Sequence, residues 1–169
     1  MKKVLKAVDA ISEYSGRIAS WLCVALVLVL AFETTARYVF NRPTIWAHVT
    51  ATMLYGAIGM LGLAYTDLHN GHIRVDIIYN RLSARGRAIL DMVMALIFLL
   101  PFLYIMLRIS SMWMLRSIAQ HEVMMESFWY PIASPFRSMI VVALALFTLQ
   151  SLSRFVRDVY VLIRGQPYA

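Results

Sequence analysis

The sequence predicts an all-α polytopic membrane protein: four transmembrane helices plus amphipathic interfacial helices, with both termini cytoplasmic. Three observations carry this. Residues from the set AVILMFWYC make up 61% of the 169 positions and charged residues only 15%, whereas soluble domains are near half apolar and a quarter charged. The apolar residues gather into four long runs, and Lys and Arg are divided unequally among the loops between them. With a mean hydropathy of +0.69, the chain has too little polar surface to cover itself in water. Seven Gly and five Pro leave little room for linkers, so residues 1–169 read as a single membrane domain.

Residues 1–17 form an amphipathic opening. Val4, Leu5, Val8 and Ile11 share one helical stripe, and Lys2, Lys6, Asp9, Glu13 and Arg17 another. This is the pattern of a helix lying on the cytoplasmic leaflet before the chain turns inward. Each span that follows must supply about 20 mainly apolar residues. The first covers 18–40; its uncharged part stops at Phe32, and Glu33 and Arg37 come after. The second covers 45–65, within a stretch free of formal charge from Arg42 to Asp67. The third covers 88–107, with Asp91 near its start and Pro101 inside, and the fourth covers 139–156, interrupted only by Arg154. The connection 108–135 mixes Met112, Trp113, Leu115, Ile118 and Met124 with Ser117, Gln120, His121 and Glu126. It reads as a periplasmic in-plane amphipathic helix or as a loop helix packed on the bundle. Gly165-Gln166-Pro167 reads as a frayed end. A cleaved signal peptide is disfavoured, because Asp9 and Glu13 precede the first apolar run and no A-x-A site closes it.

Orientation follows from the basic residues in the loops. Eleven Lys and Arg fall on the side of the termini and five on the other: Arg37, Arg42, Arg108, Arg116 and Arg137. The formal net charge of +7, in so apolar a chain, points to anionic lipid head groups rather than nucleic acid. Membrane phospholipid is the expected contact.

The residues for catalysis are missing. A single cysteine, Cys23, excludes a disulfide framework, a CxxC redox site and a cysteine-built zinc site. Of four histidines only His48 lies within a span, too few for axial haem ligation between facing helices or for a converging metal site. The spaced glycines Gly56, Gly59 and Gly62 lie in an apolar helix and not in a phosphate-cradling loop. No enzyme, cofactor or metal site is expected.

What remains is intramembrane polarity and small residues. Glu33 is the foremost intramembrane carboxylate, and such a group usually has a functional reason. Arg37 follows at i+4, the order that favours pairing, so Glu33 is either half of an ion pair that settles helix depth or a transport carboxylate. Asp91 reads as a first-turn acid at a helix N-terminus. Thr52, Gly56, Gly59 and Gly62 form a small-residue stripe suited to close helix approach, within this bundle or against a second protein. Trp46, Trp129 and Tyr130 fit the aromatic belt. These features describe an accessory or scaffold subunit more than a carrier.

Three segments together resemble a known family: Arg37-Tyr38-Val39-Phe40-Asn41-Arg42-Pro43, Ile45-Trp46-Ala47, and Asn70-Gly71-His72-Ile73-Arg74-Val75-Asp76. The chain resembles the small membrane (Q) subunit of tripartite ATP-independent periplasmic (TRAP) transporters. There an R-Y-x-F-N segment ends the first helix, a Trp opens the second, and G-H-I-x-V-D follows on the cytoplasmic side. Leu82-Ser83 with Arg85, Glu126-Ser127, Pro135 and the apolar fourth helix also fit, so the resemblance spans essentially the whole chain.

The resemblance implies a multi-pass protein of the bacterial inner membrane that pairs with a much larger permease (M) subunit. That subunit would hold the sodium and substrate sites and move as an elevator. A periplasmic substrate-binding protein would deliver an organic acid such as a C4-dicarboxylate or sialic acid. The small subunit would enlarge the stationary scaffold. Carried over by position, Arg37, Trp46, His72, Arg74 and Asp76 would be structural: Arg37 anchoring the outer helix end, Arg74 and Asp76 fixing the cytoplasmic connection. One departure is clear. Acidic residues often follow the Trp-Ala pair in the family, whereas here His48 and Val49 do. The alternative reading is an autonomous small proton-coupled exporter using Glu33, against which the Arg37 spacing counts.

Overall fold

The computed structural model describes residues 2–69, 71, 82–125 and 128–164. Four helices among them are long and apolar enough to cross a membrane. They are α1 (Lys2–Tyr38), α2 (Trp46–Leu68), α3 and α4 (Ser134–Arg164), where α3 joins Ala84–Met94, a π-helical turn Ala95–Leu99 and Leu100–Ala119. No β-strand occurs among the described residues; Val123 and Ile132 form an isolated antiparallel bridge.

Local chemistry explains the ends and the irregular turn. Past α1, Asn41 takes φ 51°, a conformation Asn tolerates better than most residues. The Arg42 N–H returns to the Ala36 carbonyl at 2.9 Å, and Pro43 prevents continuation. Ser83 caps α3, its hydroxyl accepting from the Gly86 N–H at 3.2 Å. Pro101 has no N–H to return to the preceding turn, and the helix accommodates it by widening just before: the Leu100 N–H reaches five residues back to Ala95. At the end of α3, His121 takes φ 47° and the Glu122 N–H closes on the Ser117 carbonyl at 3.1 Å.

Two expectations are corrected here. Residues 1–17 do not form a separate in-plane helix: from Lys2 the chain runs into the first span without interruption. No Pro lies between Lys2 and Tyr38, and the polar side of the segment bonds to α2 and α4. At 1.5 Å per residue the 37-residue α1 is about 55 Å long, beyond a hydrocarbon core of about 30 Å. The third span likewise continues as helix to Ala119, so the first half of the 108–135 connection belongs to α3.

The helices pack in the order α1, α2, α4, α3, with α1 also touching α4. Small residues sit where they meet: Ala47, Ala57, Ala64, Ala88 and Ala143 are all buried. The core joins Ala64 of α2, Leu103 of α3, and Leu144 and Phe147 of α4. Leu103 is fully buried. Apolar transfer contributes little inside lipid, so Leu103→Ala is expected to destabilise mainly through the void left, by about 2 kcal/mol. Thermal unfolding in detergent, compared with the same change at exposed Leu28, measures it.

Candidate functional site

Two polar clusters lie at opposite ends of the bundle. At the end away from the termini, Glu33 links α1 to the start of α2. Its Oε1 accepts from Arg37 Nε at 3.1 Å and Nη2 at 2.5 Å, and its Oε2 accepts from the Thr44 N–H at 3.2 Å and from the Thr44 hydroxyl. The residue just before Glu33, Phe32, stacks on Trp46 with ring centroids 5.7 Å apart and planes at 27°. Trp46 is therefore a clasp between α1 and α2. His48 lines a space of about 250 Å³ beside Glu33, Arg37, Tyr38 and Ala47. With four donors engaging one carboxylate, the chemistry is that of a fastening.

The connection 39–45 is held by this fastening, which a protease reports. Glu33→Gln weakens both the Arg37 and Thr44 contacts. Trypsin is expected to cut the Arg37–Tyr38 bond several-fold faster in that variant, while an Arg17 cut serves as internal reference. Equal rates would show that Glu33 does not hold this end.

At the end carrying the termini, α4 supplies a row of polar side chains. The buried Asp67 carboxylate at the end of α2 accepts from Arg154 Nη1 at 2.9 Å through Oδ1 and from the Ser151 hydroxyl at 3.2 Å through Oδ2. Arg154 also reaches the Asp67 carbonyl at 3.3 Å. Toward α1, the Ser12 hydroxyl donates to Gln150 Oε1 at 2.9 Å, Gln150 Nε2 donates to Asp9 Oδ1 at 3.3 Å, and Arg157 pairs with Asp9. Glu13 faces His69 at 3.0 Å. Three helices are thus tied together by polar side chains from both flanks of α4. Beside this row a crevice of about 620 Å³ opens between α3 and α4, with Asp67, Asp91, Arg154 and Asp158 near its polar edge and Phe98 and Phe147 in its walls.

Of the sequence-derived positions, Glu33, Arg37 and Trp46 come together. His72, Arg74 and Asp76 lie outside the described residues, as do Glu126 and Ser127. The glycine stripe divides. A Cβ on Gly56 would lie 3.0 Å from the Phe136 ring of α4, whereas one on Gly59 or Gly62 would meet nothing within 4 Å. The Asp67–Arg154–Ser151 cluster was missed. Its trace was the lone arginine in the fourth apolar run, a charge that usually pairs with an acid within such a run. A further pair, Arg137 with Glu122 at 2.6 Å, ties α4 to the loop before it.

Residues 26–160 match the family described as tripartite ATP-independent periplasmic transporters, DctQ component. The chain belongs to this family. The DctQ family is a transporter component and not an enzyme family. With four helices able to cross, this DctQ chain is a multi-pass inner-membrane protein. It is also similar to the sialic acid TRAP transporter permease protein SiaT of Haemophilus influenzae (strain 86-028NP), at 28% identity over 98 residues. The matched region is 55% of this chain but only 16% of that permease, so the DctQ chain spans a small part of the length of the relative it matches.

Proposed function

We propose that this DctQ chain is the small, non-transporting subunit of a sodium-coupled, binding-protein-dependent importer of an organic acid, a C4-dicarboxylate, sialic acid or a similar carboxylate. It serves as a fixed scaffold for a large elevator-type permease subunit, with a periplasmic binding protein delivering the solute. The match of the DctQ family over residues 26–160 carries this reading. The bundle's polarity supports it: charged groups cluster at the two ends, while Ala64, Leu103, Leu144 and Phe147 fill the core between them. Glu33, engaged by Arg37 and Thr44, is poorly suited to the carboxylate of a proton-coupled carrier, which must protonate freely. The excess of Lys and Arg at the end carrying the termini supports a cytoplasmic location for both.

The test is reconstitution. Co-expressed with its large permease partner, the chain should purify as a one-to-one complex. Uptake of the carboxylate into liposomes should require both chains, the binding protein and an inward sodium gradient. Uptake by this chain alone, abolished by Glu33→Gln, would overturn the scaffold reading in favour of an autonomous exporter.

A further inference from the structure

One face of α2 is turned away from the rest of the chain and is unlike a lipid-facing surface. Residues 52, 55, 59 and 62 share it at helical spacing. Thr52 and Gly59 are exposed, and Tyr55 is 73% exposed. The other sides of α2 are occupied. Ser15 of α1 donates to the Leu61 carbonyl at 3.3 Å, Gly16 of α1 lies against Tyr65, and Ala64 enters the core with α3 and α4.

Tyr55 is nine residues past Trp46, about 14 Å along the axis, which places it near the middle of a hydrocarbon layer about 30 Å thick. Among the described residues its hydroxyl has no hydrogen-bond partner. A phenol there, facing acyl chains, has neither water nor an acceptor, and tyrosines in membrane helices otherwise favour the interfaces. One turn on, Gly59 and Gly62 leave open space where a second backbone can come close.

We infer that this face of α2 seats a transmembrane helix of the large permease subunit, with Gly59 and Gly62 at closest approach and the Tyr55 hydroxyl donating a hydrogen bond to it. The inference rests on the small-subunit reading above. The occupant is argued from the polar side chain at mid-membrane, which lipid does not satisfy. It is argued also from the Haemophilus influenzae relative, in which the matched segment is 16% of one permease polypeptide and travels with a much longer remainder.

A tryptophan placed on each outward face tests this, with the full chain co-expressed with its large permease subunit. Gly59→Trp probes α2, Val27→Trp probes α1 and Ile105→Trp probes α3; Val27 and Ile105 are 64% and 50% exposed. All three leave the chain's own contacts in place, so each variant alone should give a monodisperse, helical species. Gly59→Trp is expected to reduce the recovered complex about ten-fold or more while the other two leave it near wild type. Tyr55→Phe, which removes only the hydroxyl, should raise the rate of subunit dissociation by roughly three- to ten-fold.

A normal complex with Gly59→Trp, or losses confined to Val27→Trp or Ile105→Trp, would overturn this face while leaving the small-subunit reading intact. Failure of the wild-type chain to co-purify would overturn both. A homodimer cross-linked through Gly59→Cys in a Cys23→Ser background, in place of the two-subunit complex, would show that a second copy occupies the face and would also overturn it.

Discussion

Asp67→Ala is expected to destabilise the chain by about 3–5 kcal/mol, the usual consequence of removing one partner from a buried ion pair. The Asp67 side chain is only 4% exposed and Arg154 23%. Without the carboxylate, the guanidinium loses its 2.9 Å contact and the Ser151 hydroxyl loses its acceptor. The arginine's long stem lets its head move toward the interface, which recovers part of the loss and sets the lower end of the range. Thermal unfolding in detergent is the measurement. The double variant Asp67→Ala with Arg154→Leu should recover most of the stability, because replacing both charges by apolar groups is often neutral or better. Wild-type stability in Asp67→Ala would mean that this cluster does not hold α2 to α4.

The four spans were legible because each is a long apolar run, and length alone separates a crossing from a core helix. The Glu33–Arg37 pair was legible for a similar reason, since i+4 spacing brings two side chains together on any helix. The Asp67–Arg154 pair was not. The two residues are 87 positions apart, and Arg154 alone points to an acid without saying which. The register between α2 and α4 makes that choice, and it is a property of packing.

The amphipathic opening shows a different limit. The stripe of Lys6, Asp9, Glu13 and Arg17 has the same period whether its polar side meets head groups or other helices. Here Asp9, Ser12 and Glu13 bond to Arg157, Gln150 and His69, so part of the apparent water-facing stripe is an internal seam. The glycines make the same point: one spacing serves Gly56, which meets Phe136, and Gly59, which meets nothing. Periodicity gives a face, and only the neighbours say what the face is for.

Gly16 escaped notice in the sequence, yet its substitution has the second large expected effect. A Cβ at this position would lie 2.5 Å from Cγ and 2.9 Å from Cβ of Tyr65 on α2. The ring could swing aside, but its Cβ moves only with the backbone, so α1 and α2 must part. Swinging the ring also breaks its packing on His69, whose centroid is 4.4 Å away, and His69 in turn holds Glu13 of α1 at 3.0 Å. Gly16→Ala is therefore expected to destabilise by about 1–3 kcal/mol through overpacking, and Gly16→Leu by more, although either residue favours the helix over glycine by up to about 1 kcal/mol. The two effects have opposite signs, which makes the outcome decisive. Combining Gly16→Ala with Tyr65→Ala should relieve the clash, giving a double variant clearly more stable than the two single changes would sum to. A stabilised Gly16→Ala would show helix propensity prevailing, and hence that α1 does not press on α2 at this crossing.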